Sequence, residues 1–188
     1  MKTKDEIKKI EAVVLYILNQ FKEGVDYIKL FKVMYFAQKD YLITYGKVLC
    51  PDTFKARKYG PVPAFSDRVI KTVENRDREA TSDMEYLISS IKIKKQMVYP
   101  VRECDMDYLS NKERQCLDKW IDYCRNKDSK KELSPESHDA AYDSAWQAYQ
   151  DDPQKGEMTL IEIARAGGAS EKMISYIREK ELLSEQFS

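Results

Sequence analysis

One histidine, His138, stands in 188 residues, and four cysteines at positions 50, 104, 116 and 124 form neither a CxxC pair nor a regular framework. A zinc site needs thiolates and imidazoles at short spacing, so neither a metal nor another cofactor is expected. Cysteines placed so irregularly suit reduced, mostly buried thiols and a cytoplasmic location. Long apolar runs are missing as well. The longest, Ala12 to Leu18, has seven residues, against the about 20 that a membrane-spanning helix requires. No GxxxxGK[ST], GxGxxG, HExxH or GxSxG occurs, so an enzyme reading has no constellation to stand on. The net charge is zero, which argues against a protein that coats nucleic acid.

What is present is a globular composition, 43% hydrophobic and 34% charged, in a chain long enough for one substantial core. The neutral average hides an asymmetry. Residues 1–78 carry 16 Lys/Arg against 10 Asp/Glu, and residues 101–188 carry 13 against 19. Either the two halves face each other within one domain, or they form a bipolar surface that orients a protein partner.

Periodicity and capping signals predict a mainly α fold with a small antiparallel β-sheet, an α+β single compact helical domain. Thr3 with Glu6 forms a capping box, so a helix starts near Lys4, with Ile7, Ile10, Val14, Ile17, Leu18 and Phe21 on one stripe until Gly24. A second helix, about 26–45, is apolar over a wider arc and ends at Gly46, placed as its left-handed cap. Phe54 and Ala56 then alternate with Lys55 and Arg57, as in a half-buried strand with a basic outer face. Pro63 suits the first turn of a third helix carrying Val69, Ile70 and Val73 inward. Residues 75–83 read as a solvated loop. Ser82 with Glu85 predicts a capped short helix to about Ser89, and 91–101 a hairpin reversing at Lys95-Gln96. Ser110 with Glu113 caps a helix bearing Cys116, Leu117, Trp120, Ile121 and Cys124. After a polar connection, Ser134-Pro135 opens a helix with His138, Tyr142, Ala145, Trp146 and Tyr149 on one side. Thr159 with Glu162 caps a short helix ended by Gly167-Gly168, and Ser170 caps the last. Residues 1–150 are expected to form the main domain, with 151–188 a helical extension packed on it.

Candidate chemistry is sparse. His138 has Ser137 and Asp139 as neighbours, but adjacent helical residues point about 100° apart, so these three form no triad. The expected role of His138 is a partly buried helix residue bonding another element. The tail, residues 159–181, keeps the spacing of a helix-turn-helix in Ala164, Gly168 and Ile174. Its second helix would expose Glu171, Lys172, Ser175, Arg178 and Glu179, a mixed set that attracts phosphate poorly. The stretch FKARKYGPVPAFS, 54–66, is more informative. Lys55, Arg57 and Lys58 need no place in a core, and Tyr59, Gly60 and Pro61 lead into a stiff path set by two prolines. It reads both as a fold-defining corner and as a rigid surface for a partner.

Three blocks together, KLFKVMYFAQKDYLITYGKVL (29–49), FKARKYGPVPAFS (54–66) and LSPESHDAAYDSAW (133–146), resemble the Panacea domain of SocA-like antitoxins and phage-associated proteins. The matching positions are Tyr35, Phe36, Tyr45, Gly46, Lys58, Tyr59, Gly60, Pro61, His138 and Trp146, in a resemblance running from about residue 5 to 150. The resemblance implies a non-enzymatic antitoxin whose partner is a cognate toxin protein, neutralised by direct binding. An orphan phage-derived interaction module is the alternative within it, and self-association is a further expected contact. No separate DNA-binding domain is evident beside that region, so transcriptional regulation would fall to residues 159–181.

Overall fold

A central helix explains most of the architecture, and α2, Tyr27–Tyr45, is that helix. Asp26 caps it through the Lys29 amide, and Gly46 closes it at φ +61, the left-handed torsion expected of that glycine. Residues 28, 30, 31 and 33–37 are buried, so the helix is enclosed nearly all round. The computed structural model describes residues 2–75 and 80–186. Before α2 runs α1, Lys4–Asn19, with the expected reciprocal cap: Thr3 Oγ1 accepts from the Glu6 amide and the Glu6 carboxylate accepts from Thr3. Every residue from Ala12 to Leu18 is buried, so α1 is more than the single stripe its periodicity predicts. It ends before Phe21, and Gly24 belongs to the turn beyond it.

Two three-stranded antiparallel sheets flank these helices, where the sequence predicts one. In the first, β1 (Val25–Asp26) pairs with β5 (Met97–Pro100), which pairs with β4 (Ile91–Lys94). The β4–β5 hairpin reverses at Lys95-Gln96 as expected, both with positive φ. In the second, β2 (Phe54–Arg57) lies between β3 (Gly60–Pro63) and β6 (Glu157–Met158). Here the structure corrects the expected corner. Gly60 to Pro63 is a strand, folded back on β2 through a turn at Lys58-Tyr59, and Pro63 is the N-cap residue of α3, Ala64–Glu74. Proline is tolerated in β3 because that strand is an edge and needs no second ladder of donors.

Other boundaries move for local reasons. The short helix α4, Glu85–Ile88, begins after Met84 with no side-chain cap, so the Ser82/Glu85 box does not form. The loop expected at 75–83 lies partly outside the described residues, at 76–79. A 3-10 turn at Met106–Tyr108 precedes α5, Asn111–Arg125, which carries the expected Ser110/Glu113 box. The polar connection contains a π-helical turn, Ser129–Leu133, running into the three-residue α6, Ser134–Glu136. That segment stops there, because Ser137 Oγ turns back to the Ser134 carbonyl and Asp139 caps the next helix, α7, Ala140–Asp151. His138 therefore lies between helices rather than on one. The chain then adds β6 to the second sheet and finishes with α8, Leu160–Ala166, and α9, Glu171–Gln186. The Thr159/Glu162 box forms, and Ser170 Oγ accepts from the Met173 amide.

Candidate partner-binding surface

Helix α2 presents Lys32 and Tyr35 on the side facing β3 and α7. Tyr35 is fully buried, and its hydroxyl donates to Asp139 Oδ2 at 2.8 Å, an oxygen that also receives Lys39 Nζ at 2.7 Å. The second oxygen of Asp139 accepts from the Tyr142 amide as helix cap. One carboxylate thus ties α2 to the start of α7 and satisfies an orphan helix donor. Burial, reinforced by the Asp139 charge, pushes the Tyr35 phenol far above its usual range.

Against this junction packs the β2–β3 hairpin. The Tyr142 hydroxyl donates to the Arg57 carbonyl at 3.0 Å, and Lys32 Nζ donates to the Pro61 carbonyl at 3.1 Å. Gly60 has φ +100, and a Cβ there would collide with Ser137 Oγ and lie 2.6 Å from Lys32 Nζ. Glycine is required on both counts. Gly60 and Pro61 are buried, whereas Lys58 is exposed and Tyr59 is 38% exposed. The hairpin base is therefore architecture and its tip is free surface. Lys58 Nζ lies 5.5 Å and Lys130 Nζ 5.2 Å from the Tyr59 ring centroid.

A ladder of four rings runs beside the hairpin: His138 on Tyr142 at 4.1 Å, Tyr142 on Trp146 at 6.0 Å, and Trp146 on Tyr149 at 5.3 Å, all stacked. The Arg57 guanidinium lies 4.7 Å from the Tyr149 ring centroid. His138 is exposed, and its ring forms no hydrogen bond among the described residues, against the partly buried, bonded role expected for it. Desolvation, with the nearby Lys32 charge, holds its imidazole below the ordinary histidine value.

The remaining expected residues lie elsewhere. Half-buried Lys55 lines a polar groove with Lys2, Glu6 and Glu157, away from the hairpin tip. Phe36 packs on Trp120 of α5 at 5.2 Å. The Tyr45 ring packs tilted against Tyr41 at 4.7 Å, and Gly46 gives way to α9, where a Cβ would meet Met173 Sδ at 2.8 Å. Lys32, Ser137, Asp139, Tyr142, Tyr149 and Lys130 are the residues that sequence reasoning missed. For Lys32 a signal existed: it falls four residues after Ile28 and three before Tyr35, on the buried face of α2.

Charge pairing accounts for part of the sequence asymmetry. Lys9–Glu113 and Lys39–Asp139, both at 2.7 Å, join the basic first part to the acidic last part. Lys32, Arg57, Lys58 and Lys130, around the hairpin, are among the cations with no ion pair among the described residues. The cysteines are free. Burial pushes the Cys104 thiol up to about 11 and those of Cys116 and Cys124 up to about 12, so none is poised as a thiolate nucleophile. Among the described residues, no group of three or more His, Cys, Asp or Glu is placed to hold a metal, and no helix is long and apolar enough to cross a membrane.

Comparison with curated proteins and with solved structures gives no match. A family model does match, over residues 30–147, a narrower span than the expected 5 to 150 but one holding nearly all of the three sequence blocks. Its region contains all but the first three residues of α2, the hairpin and the start of the aromatic ladder, which the fold brings into one junction. The chain belongs to the SocA-like antitoxin family, through its Panacea domain.

Proposed function

We propose that the protein neutralises a cognate toxin protein by direct, non-catalytic binding, and that the hairpin tip, Lys58 and Tyr59, is the centre of the contact. The observation that carries this reading is the division within the KYGP motif. Its glycine and proline are buried and pinned from two sides, while its lysine and tyrosine are exposed on that rigid base. A tyrosine ring on a stiff turn loses little entropy on binding, and unpaired lysines around it steer an acidic partner. Lys130 and exposed His138 extend the same surface.

DNA recognition by residues 159–181 is the weaker reading. Ala164 of α8 and Ile174 of α9 are buried, and the outward residues Glu171, Lys172, Arg178 and Glu179 balance in charge. Phosphate contacts need a net positive face.

Co-expression with the product of the adjacent gene tests the proposal. The expected result is growth rescue by the native chain, loss of rescue by Tyr59→Ala, and an unchanged melting temperature for that variant. Truncating an anchor ring should cost about 1–3 kcal/mol of binding, mostly as a faster off-rate. Full rescue by Tyr59→Ala together with Lys58→Glu would place the contact elsewhere.

A further inference from the structure

A cavity of about 290 Å3 opens between the β2–β3 hairpin, the first turns of α2 and one side of α7. Its walls combine two chemistries. Tyr27, Phe31, Trp146 and Tyr149 give flat apolar surface, while Lys32, Arg57 and Lys58 bring positive charge with no ion pair among the described residues. Lys71 and Asp67 also line it, but they neutralise each other at 2.5 Å. The cavity is a cationic recess walled by rings.

Lys32 is the member that packing does not explain. It is 1% exposed, and among the described residues its one hydrogen bond goes to a neutral carbonyl, that of Pro61. An ammonium has three donors, and burying it without a counter-ion costs on the order of several kcal/mol. Methionine would fill the same volume without that cost. A charge kept at such a position fits a group held ready for an anion.

We propose that this cavity binds a small oxyanion, a carboxylate or a phosphate monoester, carried on an aromatic body. Lys32 and Arg57 neutralise the oxyanion, and the Trp146–Tyr149 wall receives the ring. The volume sits near the lower end of ligand cavities, about 300–1,000 Å3, which suits one ring with its charged group. Burial alone draws the Lys32 amine down to about 7, so an anion docking there above neutrality would restore its proton. Arg57 and Lys58 of the hairpin, Lys71 and Asp67 of α3, and His138 share the surroundings. The net positive balance of these groups favours an anion.

The inference does not depend on the toxin reading, because it is tested on the purified full chain alone. Calorimetric titration with phenyl phosphate and with N-acetyl-phenylalanine should show binding at one site, with benzyl alcohol at least about tenfold weaker. A stronger response to phenyl phosphate assigns the site to an aryl phosphate monoester, and a stronger response to N-acetyl-phenylalanine assigns it to an aromatic carboxylate. Both Lys32→Met and Arg57→Gln should weaken the tighter probe by about tenfold or more, and binding should shift the Trp146 indole N–H resonance. If Lys32→Met does not fold, Arg57→Gln carries the test. Benzyl alcohol binding as tightly as either anion, no binding of either probe at millimolar concentration, or native affinity in the folded variants overturns the proposal. Toxin rescue that survives such a result leaves the function proposed above intact.

Discussion

The two hairpins differ in what holds their turns. In β2–β3 the turn is gripped by other elements: Tyr142 of α7 takes one side, Lys32 of α2 the other, and Gly60 supplies the positive φ. In β4–β5 the turn residues Lys95 and Gln96 adopt φ +51 and +64 without a glycine, and both are exposed. Ile91 and Val98 are the buried residues of that hairpin, within its strands rather than in its turn. Basic residues in a turn are therefore no guide to recognition. The hairpin whose tip is held from behind presents a fixed shape, and the other presents a solvated edge.

The largest effect should come from removing the special torsion at the gripped turn. Gly60→Val places a branched side chain at φ +100, against Ser137 and Lys32, and should cost about 3 kcal/mol or more. Chemical denaturation should show a lowered midpoint, and a near-native midpoint would mean the hairpin is not pinned as described.

Lys32→Met sharpens the comparison in the opposite direction. Replacing an uncompensated buried ammonium should stabilise the fold by about 1–3 kcal/mol at pH 7. Folding lowers the Lys32 amine from 10.5 to about 7, so between those values the unfolded chain holds a proton that the folded chain does not. Stability of the native protein should therefore rise with pH through that window, with the full burial cost present below about 7. The variant should lack this component, so the gap between the two proteins should narrow as pH rises. A gap independent of pH would show that Lys32 titrates normally.

At the second hairpin, Lys95→Asn with Gln96→Gly supplies the residues that such a turn favours, and should stabilise by about 0.5–1 kcal/mol. Thermal melting will show whether that solvated turn carries strain. Lys58→Glu should have the smallest effect on stability, within about 0.5 kcal/mol, because its side chain is exposed and has no ion pair among the described residues. Its effect should appear instead as slower association with the partner, read by surface-binding kinetics at low and high salt.

Local signals were legible wherever a structure is decided within a few residues. The boxes Thr3/Glu6, Ser110/Glu113 and Thr159/Glu162 form, because the reciprocal bonds of a cap close within one turn. Ser82/Glu85 fails because the chain there enters the helix one residue before Glu85, at Met84, already in helical torsion. Of the proposed contact, the Lys58-Tyr59 pair could be read from chain stiffness and charge. The spacing of Lys32 placed it on the buried face of α2, but a lysine is ordinarily assigned to solvent whatever helix face it occupies.

The sequence by itself determined most of the helical segments, though not the break at His138, together with the β2 strand, the left-handed cap at Gly46 and the family blocks, since each rests on periodicity, capping or a short motif. Only the tertiary structure decided that the three blocks meet. Asp139 reaches Tyr35 across 104 residues, Tyr142 reaches Arg57 across 85, and β6 joins β2 from the far end of the chain. Such pairings depend on which buried donors and acceptors find one another once the core closes, and no local pattern encodes that choice.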